Sequence, residues 1–335
     1  MRLVGIKSVE PGSVLSIAVY TSSGKAVLNA GVVLTEAYLE KLRLLGINKI
    51  YIEDERFEDV EPVQSLDAIT KNNAIQVIRE THQNLHKDKP INEYVIKDIS
   101  KSIVDFVRDS GDKGASILSI SAVDDYIIEH TINVALLSAF LGNRMNYNYN
   151  QLCDMVTGAL IHDLGRENVC EEKPEHTQKG FDVMRKCRGF NLHSSIVCYE
   201  HHEKFDGTGY PRRIKGQAIS EFTRLIQVAD VYDNFLHGYN NENVSLMPHL
   251  AYEHLLAMSG TLLDPSVVEQ FRDAIIFYPN GCTVQMSNGL KGIVIRQNIG
   301  SPQRPVVRVF NDTAVLGEID LLKSLTMFIK DVVII

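Results

Sequence analysis

No stretch of this chain approaches the roughly 18 consecutive apolar residues that a membrane-spanning helix needs. Its start, MRLVGIKSVEPGS, has no signal-peptide pattern. A soluble, cytoplasmic protein without membrane insertion is expected. There is no surplus of positive charge: 34 Lys and Arg face 42 Asp and Glu, a formal net charge of −8. Surfaces that hold polyanions need excess cations to displace counterions, so a nucleic-acid polymer is excluded as a partner. One small phosphorylated ligand in a locally basic pocket is not excluded. Cysteine is sparse: Cys153, Cys170, Cys187, Cys198 and Cys282 form no CxxC pair. An odd number of thiols cannot close completely into intramolecular disulfides, so they read as reduced core filler.

What the chain does have places it among folded proteins. At 44% hydrophobic and 23% charged residues it sits near the soluble globular average, which argues against a disordered or fibrous chain. Its 335 residues suit two or three domains. Its most unusual feature is 11 histidines.

The patterning divides the chain into four segments. Residues 1–60 alternate short β-like runs with turns such as Ser22-Ser23-Gly24. They include one helix, from Thr35 as N-cap to Leu45, stopped by Gly46, so a small α+β module is expected. Residues 61–114 follow a polar linker and read as a helical connector, broken near Lys87-Asp88-Lys89-Pro90 and bounded at Gly111 to Gly114. Residues 115–277 are almost wholly helical, with amphipathic runs at Ile127 to Leu141, Leu152 to Leu164 and Phe222 to Phe235. Residues 278–335 show strands at Thr283-Val284-Gln285-Met286, Gly292 to Ile295, Val306 to Phe310 and Val332 to Ile335, which predicts a small β-domain. The fold expected is multidomain and mainly α.

Nine of the histidines fall in the helical segment. With two aspartates, five of them form a candidate ligand set: His130, His162-Asp163, His176, His201-His202 and Asp230. Separations of 14 to 32 residues place each ligand group on a different helix or helix end, and bundles build metal sites from such converging side chains. Locally, His176 looks like an exposed loop residue, because it ends the polar stretch Glu171-Glu172-Lys173-Pro174-Glu175. Adjacent pairs diverge by about 100° on a helix, so His162 with Asp163, or His201 with His202, can serve two metals side by side. Imidazoles with few carboxylates suit Fe, Mn or Zn better than Mg or Ca. Two such cations roughly 4 Å apart would acidify a bridging water and stabilise an in-line phosphoryl displacement.

The stretch His201-His202-Glu203-Lys204-Phe205-Asp206-Gly207-Thr208-Gly209-Tyr210-Pro211 completes the pattern. Together with His162-Asp163-Leu164-Gly165 and Val228-Ala229-Asp230-Val231-Tyr232-Asp233, it resembles the HD-GYP subgroup of the HD-domain metal-dependent phosphohydrolases. The match runs from about Asp124 to Phe271. The resemblance implies an all-helical HD-domain bundle and a cyclic di-GMP phosphodiesterase that uses a bridging hydroxide to form pGpG and/or GMP. It also implies two divalent metal ions, iron favoured over manganese or zinc. His130, His162, Asp163 and Asp230 would hold one; Asp163, His176, His201 and His202 the other. Tyr126 stands where trinuclear members carry a glutamate.

Two departures bear on activity. Arg166 replaces the family's usual lysine after HD-x-G, exchanging a compact ammonium for a planar fork. After Asp233, the segment from Asn234 to Asn243 has no Arg or Lys where the family commonly holds substrate phosphates. Arg166 and Asp233 are the expected catalytic groups, and Arg166, Lys204, Tyr210 and Arg212 the expected substrate contacts. Expected partners are cyclic di-GMP and signalling proteins docking on the Gly-Tyr-Pro loop or flanking domains; a homodimer is compatible with the sequence. The alternatives are a hydrolase of another phosphate ester or cyclic dinucleotide, and a metal-containing, non-catalytic cyclic di-GMP sensor.

Overall fold

The computed structural model describes residues 1–20, 26–47, 49–61, 66–87, 89–111, 126–166, 174–238, 245–298, 300–311 and 314–333. The turn at Ser22 to Gly24, the linker end at 62–65, the boundary beyond Gly111, Asp124, Cys170, Glu171 to Lys173, Tyr239 to Asn243 and Ile334-Ile335 lie outside the described residues.

Near the start of the chain, β1 (Arg2–Gly5) pairs antiparallel with β4 (Lys49–Ile52), and β2 (Val19–Tyr20) with β3 (Ala26–Leu28). Helix α1 (Glu36–Leu44) starts at the expected cap, the Thr35 hydroxyl accepting the Tyr38 N–H at 3.3 Å. Leu15, Leu34, Leu39, Leu42 and Ile50 fill the centre of this region. At the other end of the chain a five-stranded antiparallel sheet has the order β8-β7-β6-β5-β9, from β5 (Thr283–Met286), β6 (Lys291–Arg296), β7 (Val306–Phe310), β8 (Val315–Asp320) and β9 (Ile329–Val332). Strand β8 escapes sequence reading: it contains Gly317, and its first four residues are exposed, so it has no alternating apolar signal.

These two ends build one unit from residues 1–65 and 276–335. The Leu3 N–H donates to the Gly281 carbonyl at 2.8 Å, and Phe57 and Val60 pack with Ile293 and Phe310. Arg308 forms a bidentate pair with Asp59 at 2.6 and 2.7 Å. A segment of roughly 60 residues buries a modest share of its surface alone; here the two segments pool theirs.

Residues 66–115 and 125–275 form a second, helical unit. Its helices are α2 (Ala68–His86), α3 (Glu93–Ser110), α4 (Tyr126–Arg144), α5 (Tyr149–Ile161), α6 (Glu175–Met184), α7 (Leu192–Glu200), α8 (Glu221–His237), α9 (Pro248–Met258) and α10 (Pro265–Ala274). Helix α4 is buried on nearly every side from Ile128 to Gly142, as an all-round apolar helix must be, and packs against α2, α3, α5, α8 and α10. The segment expected as a connector belongs to this bundle: Ile96, Ile99, Ile103, Val104 and Val107 give α3 a buried stripe at helical spacing. Asn148 and Gln151 form a capping box on α5, each side chain 3.0 Å from the other's backbone N–H. No described helix is long and apolar enough to cross a membrane.

Candidate metal centre

The amphipathic run through Leu164 ends as helix at Ile161, so His162-Asp163-Leu164-Gly165 forms a turn at the C-terminus of α5. Gly165 explains why. A Cβ there would overlap the His176 carbonyl oxygen and lie 2.8 Å from the Gly180 nitrogen, so only glycine lets α6 approach this closely. That approach brings His176 to the HD turn. His176 is not an exposed loop residue, as its polar neighbourhood suggested; it is buried in the first turn of α6. His201 and His202 follow α7, Asp230 lies mid-α8, and His130 lies on α4.

The expected ligand residues converge into two groups, Asp163 with His176, His201 and His202, and His130 with His162 and Asp230. Within each, one donor atom per residue lies within 4.8 Å of the others. Asp163 stands between the groups. Its Oδ1 is 3.3 Å from His201 Nε2 and 3.6 Å from His176 Nε2, and its Oδ2 is 3.7 Å from His162 Nε2. His130 Nε2 lies 3.2 Å from Asp230 Oδ1.

The protonation pattern fits divalent cations. His162 Nδ1–H donates to the Ala159 carbonyl at 2.7 Å, which leaves its Nε2 as a lone pair facing the cluster, and His201 Nδ1–H donates to the Cys198 carbonyl at 3.0 Å, which turns its Nε2 to the cluster. Among the described residues, buried His162 Nε2 and His202 Nε2 have no hydrogen-bond partner, an uncompensated cost that a bound cation would remove. Burial pushes His162 down to about 4 and His202 well below its ordinary value, so both imidazoles are neutral. Burial would raise Asp163, but His162, His201 and Arg166 outweigh it and keep the carboxylate ionised. Neutral imidazoles and carboxylates without thiolate are the donor set of Fe, Mn or Zn. Cys198 stays out: it is buried, burial pushes its thiol up, and Sγ donates to the Ile161 carbonyl at 3.0 Å.

A second layer holds these candidate ligands. His130 Nδ1–H donates to Asp233 Oδ2 at 2.7 Å, and Asp233 Oδ1 accepts from Asn133 Nδ2 at 2.9 Å. Both oxygens of this fully buried carboxylate are therefore engaged behind His130. That is a different place from the catalytic one expected for Asp233, and the one from which a carboxylate orients a ligating imidazole. Burial opposes charge on His130, yet Asp230 and Asp233 push it up to about 10, so a cation at Nε2 would displace a proton. Tyr126 stacks on His130 at 5.3 Å and donates to Asn234 Oδ1 at 2.7 Å, while Asn234 Nδ2 donates to Asp230 Oδ1 at 2.7 Å. Asn133 and Asn234 had one legible signal: they lie three and four residues from proposed ligands on the same helices.

The expected substrate contacts separate. Arg166 Nη1 donates to Asp163 Oδ2 at 2.8 Å, at the centre of the site. Arg212 is paired with buried Glu200 and lies over the Tyr199 ring at 5.6 Å, so it braces the loop rather than facing the ligand groups. Tyr210 stacks on His202 at 4.7 Å. Lys204 is exposed. Glu203, missed by sequence reasoning, is buried and accepts the Arg212 and Ile214 N–H groups at 2.6 and 3.1 Å. Gly209 packs so tightly against the backbone of residues 202–204 that no Cβ fits.

Five histidines and two aspartates converge inside a helical bundle in two groups that could hold metal ions, and comparison with known proteins adds the following. Residues 119–267 match the HD domain model, and residues 283–335 match a KOW domain associated with HD domains. The cyclic di-GMP phosphodiesterase PA4108 of Pseudomonas aeruginosa is 28% identical over 216 residues, 58% of this chain and 50% of that protein. The 3'3'-cGAMP-specific phosphodiesterase 3 of Vibrio cholerae is 27% identical over 130 residues, 34% of this chain and 28% of that protein. The chain thus spans half or less of these relatives' length. Bd1817, an HDG"Y"P protein from Bdellovibrio bacteriovorus, shares the fold, with a TM-score of 0.52, 16% identity, and coverage of 81% of this chain and 98% of its own. Residues 119–267 of the helical unit thus match an HD domain, and the chain is similar in sequence to cyclic-dinucleotide phosphodiesterases and in fold to an HDG"Y"P protein.

Proposed function

We propose that this chain is a metal-dependent phosphodiesterase that opens cyclic di-GMP to pGpG and/or GMP. The observation that supports it best is the pair of buried donor groups on either side of Asp163, with the Nε2 atoms of His130, His162 and His202 without a hydrogen-bond partner among the described residues. The two groups would hold two divalent cations, iron favoured and manganese or zinc as alternatives, which supply a water-derived nucleophile and stabilise both oxygens of an in-line displacement.

The chain's own residues do the rest. Asp163 presents one oxygen to each ligand group. Asp233 holds the His130 ring by its Nδ1 proton, so that Nε2 faces inward. Arg166, anchored on Asp163, keeps a fixed positive charge where phosphoryl oxygens gain charge. Tyr210 covers one face of His202 and excludes water from it. Tyr126, standing where a third cation would need a glutamate, donates to Asn234, which in turn donates to Asp230; a phenol in that place supports two cations rather than three.

A second reading, 3'3'-cGAMP as substrate, is favoured by the similarity to the Vibrio cholerae enzyme. One preparation separates the readings: metal stoichiometry, then anaerobic turnover of both dinucleotides. Two metals and preferential cleavage of cyclic di-GMP are expected. Preference for cGAMP moves the assignment to the second reading. A fully metallated protein that binds either nucleotide without product refutes an enzyme and leaves a sensor.

A further inference from the structure

Helix α7 ends at Glu200, and His201 and His202 sit on the turn that follows, so the place of that turn decides where their rings lie. A helix end leaves its last carbonyls without intrahelical donors, and this end is buried: Glu200, His201 and Glu203 are all closed to solvent. A buried side chain of α8 meets them. The Gln227 Nε2 amide donates to the His201 carbonyl at 3.1 Å, to the Glu200 carbonyl at 3.3 Å and to the Glu203 carbonyl. Among the described residues no other hydrogen bond reaches the His201 and Glu203 carbonyls. Gln227 precedes Asp230 by three residues on α8, on the same helical face. Asp230 belongs to the group of His130 and His162, whereas His201 and His202 belong to that of Asp163 and His176. Gln227 therefore ties the turn carrying half of one group to the helix carrying part of the other. The bonds that orient the ligand side chains themselves stay local: His201 Nδ1 is held by Cys198 and Asp230 Oδ1 by Asn234. Another tie from α7, the Glu200 carboxylate accepting the Ser220 N–H at 2.8 Å, meets the start of α8, about 15 Å along the helix from Asp230.

We infer that Gln227 is a positioning residue whose amide sets the distance between the two ligand groups, and with it the separation of the two cations. The inference rests on the two-cation reading of this centre and not on which substrate is cleaved. Two amide protons shared among three carbonyls fix the turn in more than one direction, which a single hydrogen bond could not do.

The test uses the full chain, stripped of metal and titrated with Mn, followed by calorimetry and by electron paramagnetic resonance, in which two neighbouring Mn ions couple with a strength that falls steeply with separation. Gln227→Met keeps the length of the side chain and removes its N–H groups; Gln227→Asn keeps the amide and draws it back by one methylene. In both, one ion is expected to bind about tenfold more weakly, the low end for loss of a contact that orients metal ligands, and the other to stay within about twofold. The coupling in the doubly loaded variants should differ from that of the wild type. Thr223→Val loosens the same helix pair at the Glu200 carboxylate and leaves the turn held, so it should keep the wild-type spectrum. Wild-type coupling and affinities in Gln227→Met overturn the proposal. So does an altered spectrum in Thr223→Val, or an equal loss for both ions that follows a fall in Tm of the metal-free protein, since each is the mark of general loosening. A wild type that binds two coupled Mn ions but cleaves no phosphodiester refutes the phosphodiesterase reading alone, because the spectra still report on Gln227. A wild type that binds fewer than two ions refutes the two-cation reading and this inference with it.

Discussion

Gly165→Ala is the most direct test of how the centre is assembled. The added methyl would overlap the His176 carbonyl oxygen and stand 2.8 Å from the Gly180 nitrogen and 3.0 Å from the His176 carbonyl carbon. All three are backbone atoms, so no rotamer change relieves the clash. Either the HD turn or the first turn of α6 must move, and the second movement withdraws His176. Overpacking of this kind costs about 1–3 kcal/mol. At roughly 2–4 °C per kcal/mol for a domain of this size, the middle of that range is a fall of about 4–8 °C in Tm. The specific consequence is chemical: the group formed by Asp163, His176, His201 and His202 loses affinity, while His130, His162 and Asp230 keep their mutual geometry. Titration calorimetry with Mn and metal analysis should find about one ion bound tightly instead of two. His176→Ala is the control, giving the same metal loss without the steric cost. A Gly165→Ala protein with wild-type Tm and two tightly bound metals would refute the argument that this glycine sets the site.

Three further outcomes follow from the same geometry. Asp233→Asn keeps the shape but leaves one acceptor oxygen where His130 and Asn133 each donate to a separate one; metal affinity should fall about 10- to 100-fold, measured by competition with a chelator. Arg212→Ala strips a cation from buried Glu200, which keeps the Ser220 N–H at 2.8 Å, so Tm should drop by several degrees with KM unchanged; a large KM rise would return Arg212 to the substrate contacts. Burial disfavours charge on His237, but Asp233 pushes it up to about 8 in the folded protein. The stabilisation, on the order of 1–2 kcal/mol, is present below the unfolded value near 6.5 and lost as pH rises through about 8. A His237→Gln variant should flatten that slope in thermal melts of metal-free protein, and an unaltered slope would assign it to other groups.

How far the chain is legible varies by element. Local signals found α1 with its Thr35 cap, the paired helices on either side of Lys87 to Pro90, and strands β5 to β7, because each is decided by caps, breakers and apolar period within a few residues. The end of α5 was not legible. Its apolar pattern continues to Leu164, and the helix stops at Ile161 because Gly165 must pass under α6, a contact between segments 11 residues apart. Strand β8 was missed because exposed residues with a glycine leave no alternating trace.

The candidate site divides in the same way. Residue chemistry and spacing by themselves determined which five histidines and two aspartates are the ligand candidates, since adjacent pairs such as His162-Asp163 and His201-His202 are unusual whatever the fold. Only the tertiary structure decided who stands behind them. Asp233 turns its oxygens to His130 and Asn133 on α4, and Arg212 turns to Glu200. Such side chains choose partners by direction and burial, and a buried carboxylate takes the donors nearest it in space. Nor could local pattern show that the first and last segments of the chain share one unit. Strand and core residues such as Leu3, Phe57, Ile293 and Phe310 read as apolar in any partnership, and which surfaces they cover is settled when the whole chain packs.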